Sequence, residues 1–224
     1  MALISHNKKY IYILNPRTAS TATAVALQAV TRAQFIPKES IADRSGKIVV
    51  QKKHSNIPQL LQHNVITREI ADSYFKFVTI RNPYDSLVSL WAKKTKDYVG
   101  LLNDPGSWVH RIAGYAESMA RAAGKGFPEW VADEFTASLA EGRKGTVNWN
   151  YIRGVDHMLR YESLQDDILR IADRIGLPEG FALPEVNRTE SRGGRDYREF
   201  YDEEARRLVS AVFKEEIDAL GYEF

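Results

Sequence analysis

A chain of 224 residues, 44% hydrophobic and 27% charged, has the make-up of one folded domain with a sizeable core, not of a disordered segment. Its formal net charge of +2 gives no general attraction for nucleic acid, though it leaves room for a local basic pocket that takes a phosphorylated small molecule. Cysteine is absent, which excludes disulfides, thiolate metal sites and cysteine nucleophiles.

Residues 1–9 read as a polar lead-in, followed by the apolar, β-rich run Tyr10-Ile11-Tyr12-Ile13-Leu14, as expected for a strand buried on both faces. That run is too short for a secretory core or a membrane span, so a cytoplasmic location is the economical expectation. Asn15-Pro16-Arg17-Thr18-Ala19-Ser20 breaks it, and the Ala-rich stretch 21–31 predicts a helix. Ile48-Val49-Val50-Gln51 predicts a second strand, ending at the polar cluster Lys52-Lys53-His54-Ser55, and a short helix is expected over 57–64 with Pro58 in its first turn.

Residues 74–80, rich in aromatic and β-branched side chains, predict a third strand that feeds Arg81-Asn82-Pro83. A helix to about Lys94 follows, with Asn82 as N-cap, Pro83 at the first helical position and Asp85 at the positive end. Lys93, Lys94 and Lys96 read as its solvated end. Residues 97–150, punctuated by Gly124, Gly126, Gly142 and Gly145, predict a mostly helical insertion lying over the active site. A fourth strand is expected over 157–161. An amphipathic helix should cover 163–175, stopped by Gly176, and a last helix 202–220. Strands alternating with helices imply a parallel sheet with helices on both faces, in a single domain spanning 1–224.

Two constellations carry chemistry. Arg17-Thr18-Ala19-Ser20-Thr21 lies between a buried strand and a helix, where unpaired N–H groups and the positive helix end favour anions. It is not a Walker A loop, since no GxxxxGK[ST] is present. The plain alternative is a hydroxyl-capped helix beside a solvated Arg. Arg81 closes a strand with Ser89 eight residues on. An Arg at a strand's carboxyl end reaches the crevice where open α/β sheets bind ligands, and its planar fork suits phosphate. A salt bridge to a carboxylate is the plain alternative for Arg81.

Taken together these segments resemble the two signatures of the sulfotransferase family. Pro16-Arg17-Thr18-Ala19-Ser20-Thr21 is similar to its 5′-phosphosulfate loop, closest to the form in uronyl 2-O-sulfotransferases. The run from Phe77 to Ser89 is similar to its 3′-phosphate segment. Leu159-Arg160-Tyr161-Glu162-Ser163-Leu164 resembles a further family stretch. Pro184-Glu185-Val186-Asn187, Tyr197, Tyr201 and Gly221-Tyr222-Glu223-Phe224 resemble the C-terminal pattern of its membrane-associated and bacterial branches. The resemblance leaves 97–150 unmatched. It implies a P-loop-NTPase-like α/β fold and an enzyme that passes a sulfuryl group from 3′-phosphoadenosine-5′-phosphosulfate (PAPS) to an acceptor hydroxyl.

The resemblance also implies roles. Arg17, Thr18, Ala19, Ser20 and Thr21 would hold the 5′-phosphosulfate, Arg17 adding charge stabilisation to catalysis, while Arg81 and Ser89 would grip the 3′-phosphate. The family carries Lys where this chain has Arg17, which keeps the charge but changes the donor geometry. His54, in a Lys-His-Ser setting similar to the family's catalytic His, is the preferred base, with His63 and His110 in reserve. His6 is assigned to a solvated tail and His157 to a strand start.

Arg192 and Gly193 belong either to a loop whose Arg reaches the 3′-phosphate or to a solvated turn. Arg160-Tyr161-Glu162 reads as structural, and Trp91, Trp108, Trp130 and Trp149 as core or subunit contacts. No metal-ligand spacing appears, and no metal is expected. The acceptor is expected to be a small molecule or a carbohydrate, with a sugar hydroxyl favoured by the loop, and oligomeric state is left open. The competing readings are an ATP-dependent kinase-like phosphotransferase, disfavoured by the missing Walker pair, and a non-catalytic nucleotide-binding protein of the same fold, favoured by Arg17.

Overall fold

The computed structural model describes residues 2–46, 48–112, 114–184 and 193–224. In chain order the strands are β1 (Ala2–Ser5), β2 (Tyr10–Ile13), β3 (Gln34–Ile36), β4 (Ile41–Ala42), β5 (Ile48–Val50), β6 (Phe75–Ile80) and β7 (His157–Arg160). The α-helices are α1 (Ser20–Thr31), α2 (Ile57–Gln62), α3 (Arg68–Ser73), α4 (Pro83–Ala92), α5 (Tyr115–Ala122) and α6 (Phe127–Ala140). They continue with α7 (Trp149–Ile152), α8 (Leu164–Arg170), α9 (Ala172–Ile175), α10 (Glu203–Val212) and α11 (Lys214–Leu220). The chain divides into two compact units, Met1–Arg81 with Val147–Val186, and Asn82–Thr146 with Asn187–Phe224.

The first unit is built on a five-stranded sheet of order β3-β1-β2-β6-β7. The expected all-parallel sheet is corrected to a mixed one. β2, β6 and β7 run parallel, with Tyr12 opposite Phe77 and Thr79 opposite Leu159, but β1 is antiparallel to both β2 and β3. The reason lies in the start of the chain. Residues 2–5 are buried and form a strand, and the short turn that returns them to Tyr10 permits only an antiparallel hairpin. His6 therefore sits in a hairpin turn, not in a tail. The predicted strand at Ile48 also lies outside this sheet: β5 pairs with β4 in a separate two-stranded ribbon.

β2 and β6 are apolar along almost their whole length because both faces are covered. Tyr12 stacks on Phe77 at 4.9 Å, and Ala24 and Leu27 of α1 and Leu164 and Ile168 of α8 join the same core. The buried phenols keep hydrogen-bond partners, Tyr10 with Thr31 at 2.6 Å and Tyr12 with Thr79 at 2.8 Å. Burial pushes the Tyr10 hydroxyl up to about 12 and that of Tyr12 well above its usual range, so both stay protonated. The single helix expected over 163–175 is broken at Ile171 into α8 and α9.

In the second unit the sequence-predicted start of α4 is present: the Asn82 side chain accepts from the Tyr84 N–H at 3.0 Å, with Pro83 next. Residues 97–150 do hold helices, chiefly α5 and α6. Trp91 and Trp130 are buried, whereas Trp108 is exposed. Lys94, expected at a solvated helix end, is instead buried. Its ammonium donates to Ser118 Oγ at 2.7 Å and lies 3.6 Å from Glu134, and burial lowers its pKa. The last helix is two, α10 capped by Asp202 and α11 beginning after Phe213. No helix among the described residues is long and apolar enough to cross a membrane.

Candidate active site

The carboxyl end of β2 runs through buried Leu14 and Asn15 into a tight turn in which Arg17 (φ 65) and Ala19 (φ 58) both take left-handed conformations. Such values are costly for side chains larger than glycine and persist where the surroundings fix them. Here the Asn15 carbonyl fixes them by accepting from Thr18 Oγ at 2.9 Å and from Ser20 Oγ at 2.6 Å. Those hydroxyl protons are thus committed to shaping the loop. Ala19 occupies the N-cap of α1 and supplies no side-chain cap, so the helix start keeps its positive end for an incoming anion. Thr21 is exposed on the first turn.

Arg81 follows directly on β6. Its side chain is almost fully buried, at 4% exposure, and its Nη1 donates to the Arg17 carbonyl at 2.6 Å. The guanidinium carbon lies 4.0 Å from the centroid of the Tyr161 ring, a cation–π contact that fixes the plane of the fork. Two strand ends 64 residues apart in sequence thus meet at one point, bringing the Arg81 guanidinium against the backbone of the turn that opens α1.

His54 stands beside this turn, half-buried, with Nδ1 3.1 Å from the Leu14 carbonyl. A carbonyl only accepts, so Nδ1 carries the proton and Nε2 keeps its lone pair. Burial is the main cause that lowers the His54 pKa to about 4. The Leu14 carbonyl opposes it, and the positive charges of Lys53 and Arg17 add to it. The imidazole is therefore neutral at neutral pH. Its backbone is held at φ 142, rare for a residue with a side chain. Tyr151 lies edge-on to it at 6.4 Å, its hydroxyl pushed up to about 12 by burial.

The family model described as the sulfotransferase family matches residues 1–223. The chain belongs to the sulfotransferase family. The resemblance read from the two strand-end motifs is thereby extended to essentially the whole chain, residues 97–150 included. No match was found among curated proteins or among solved structures. Membership makes this sulfotransferase a transferase by class, in a family that generally uses PAPS.

Of the residues the sequence singled out, the sulfotransferase gathers Arg17, Thr18, Ala19, Ser20, Thr21, His54 and Arg81 within its first unit. Ser89 lies in the second unit, fully buried on α4, and Gly193 lies there in an exposed turn. Arg192 falls outside the described residues, as do Glu185, Val186 and Asn187. Of the other histidines, His63 is half-buried at the end of α2, His110 is exposed 3.3 Å from the Leu102 carbonyl, and His6 bonds Tyr74 Oη at 2.8 Å. His157 opens β7 and is exposed. Among the described residues no cluster of three or more metal-ligating side chains occurs.

Two residues escaped sequence reasoning. Tyr161 had been assigned a plain structural role, yet its ring supports Arg81. Asn148 is almost fully buried, and its side chain bonds both Asn15 and the Arg81 backbone, at 2.9–3.1 Å. No local pattern around Asn148 signals this, because its partners are 133 and 67 residues away.

Proposed function

We propose that this sulfotransferase uses PAPS as donor and a hydroxyl, favoured to be that of a carbohydrate, as acceptor, working as one catalytic domain. The observation that carries the reading is the 2.6 Å bond from the buried Arg81 guanidinium to the Arg17 carbonyl. It supports the reading by joining the Arg17 turn to the end of β6, the two segments read here as grips for the charged ends of one nucleotide. The donor set fits such a ligand: the start of α1, where Ala19 supplies no side-chain cap, with the Arg17 cation at one end, and the Arg81 fork at the other.

When bound, PAPS supplies a sulfuryl group that passes in line to the acceptor oxygen as adenosine 3′,5′-bisphosphate departs. Arg17 and the start of α1 stabilise the negative charge that grows on the departing phosphate. Thr18 and Ser20 keep the loop in shape through the Asn15 carbonyl. Arg81 holds the 3′-phosphate, and Ser89 is assigned to the same phosphate by its place eight residues on. The bare Nε2 of His54 takes the acceptor's proton, while its Nδ1–H stays on Leu14. Anionic charge brought in beside His54 raises its low pKa, so the base strengthens when the donor is in place.

The test is calorimetric binding of adenosine 3′,5′-bisphosphate and of ATP with Mg²⁺, repeated on Arg81→Ala. Preference for the bisphosphate, lost in the variant, supports the reading. Preference for ATP with Mg²⁺ would favour the phosphotransferase alternative. Bisphosphate binding without sulfation of any carbohydrate, phenol or lipid acceptor, and with His54→Ala indifferent, would favour the non-catalytic one.

A further inference from the structure

Asn148 stands just before α7 with only 1% of its surface exposed. Its Oδ1 accepts from Asn15 Nδ2 at 2.9 Å and from the Arg81 N–H at 3.1 Å, and its Nδ2 donates to the Arg81 carbonyl at 2.9 Å. Asn15 Nδ2 donates in addition to the Thr79 carbonyl at 3.1 Å. These bonds close a ring. From Asn148 it runs through the Asn15 side chain to the Asn15 carbonyl, and through Thr18 and Ser20 to the Arg17 turn. The Arg17 carbonyl returns it to the Arg81 guanidinium, and the Arg81 backbone to Asn148.

A carboxamide suits this place because one short planar group both accepts and donates. A carboxylate would lose the N–H that meets the Arg81 carbonyl and would bring a charge into a buried position. A hydrocarbon of similar size would leave the Arg81 N–H and carbonyl and the Asn15 amide without these partners, a larger loss than that of one exposed bond.

We propose that Asn148 is a positioning residue for donor recognition, setting the span between the ends of β2 and β6 and so holding the Arg81 fork against the Arg17 turn. This rests on the reading of Arg17 and Arg81 as the two anion grips. Asn148 acts through the Arg81 backbone and Asn15, not on the nucleotide. What it governs is discrimination. A nucleotide with phosphate at both ends needs the two grips at a fixed span, whereas adenosine 5′-phosphate needs only one.

The experiment measures binding of adenosine 3′,5′-bisphosphate and of adenosine 5′-phosphate by calorimetry on the full chain. The proteins compared are the wild type, Arg81→Ala, Asn148→Asp, Asn148→Leu and, as a destabilised control, Phe77→Leu. The preference for the bisphosphate should fall about tenfold in Asn148→Asp, which loses one buried hydrogen bond, at least as far in Asn148→Leu, which loses all three, and stay intact in Phe77→Leu. Should Asn148→Leu not fold, Asn148→Ser, which keeps one hydroxyl to donate and accept, replaces it and should give an intermediate loss.

Equal weakening of both nucleotides, an unchanged preference in the folded Asn148 variants, or an equal loss in Phe77→Leu would each overturn the proposal. A wild type without preference, or one in which Arg81→Ala changes nothing, would overturn the donor-site reading itself. A wild-type preference that depends on Arg81 but not on Asn148 overturns the Asn148 assignment alone.

Discussion

The Leu14 carbonyl lies 3.1 Å from Nδ1 of His54, and this contact decides which nitrogen of the imidazole is free to act. Burial, with lesser help from Lys53 and Arg17, lowers the His54 pKa from 6.5 to about 4. Between those values the unfolded chain binds a proton that the folded chain refuses. Stability is therefore full above about pH 6.5 and falls as pH drops toward 4, by up to about 3 kcal/mol. Urea unfolding at pH 7.5 and 4.5 should show this extra acid loss in the wild type and not in His54→Gln, and equal losses would refute it. Turnover at neutral pH should fall about 10²–10⁴-fold in the same variant.

Tyr161 supports the Arg81 guanidinium from below, at 4.0 Å to the ring centroid. Replacing it by Leu keeps an apolar side chain there but removes the ring and its electrostatic attraction. Affinity for adenosine 3′,5′-bisphosphate should drop roughly 2- to 30-fold, the equivalent of about 0.5–2 kcal/mol. Tyr161→Phe keeps the ring and should bind as the wild type does. Identical affinities for Leu and Phe at this position would show that the stacking plays no part.

Arg17 unites a left-handed backbone with a cationic side chain, and the two can be separated. Arg17→Lys preserves the charge and changes the donor geometry. It should keep turnover within about tenfold of the wild type, while Arg17→Ala should lose about 10²–10³-fold, as when one transition-state donor is removed. Both variants should melt close to the wild type, since Lys and Ala strain the turn no more than Arg does. Single-turnover sulfation of a carbohydrate acceptor is the measurement, and an Arg17→Ala enzyme with wild-type turnover would remove Arg17 from the chemistry.

Phe77 is fully buried between Tyr10 and Tyr12 in the middle of the sheet. Phe77→Ala should lower unfolding free energy by about 3–5 kcal/mol, the cost of lost contacts plus the cavity left behind. Chemical denaturation reads this directly, and a loss below 1 kcal/mol would mean the core there can collapse.

Much of the local geometry of the candidate site was legible because its signals are local. A buried strand followed by Arg17-Thr18-Ala19-Ser20, and another followed by Arg81-Asn82-Pro83, announce strand ends that open onto helices, and the cap at Asn82 is where the pattern put it. What stayed hidden depends on distance or on brevity. Ala2–Ser5 is too short for its alternation to be read, so the antiparallel edge of the sheet went unseen. The helices near Ile171 and Phe213 break where apolar periodicity continues, and periodicity does not register a change of axis. Lys94 looked like one of several surface lysines, since its partners Ser118 and Glu134 lie on other helices. Asn148 meets Asn15 and Arg81, and Tyr161 meets Arg81, across distances in sequence that no neighbouring residue reveals.

With β1 on one side and β6 on the other, β2 is an interior strand, and the Arg17 turn springs from the best-anchored part of the sheet. Interior strands open only when the whole unit opens, unlike edges and termini, which fray at small cost. The Arg17 turn therefore inherits its rigidity from global cooperativity, and backbone amides of Ile11 and Ile13 should exchange with solvent at the slow limit set by complete unfolding.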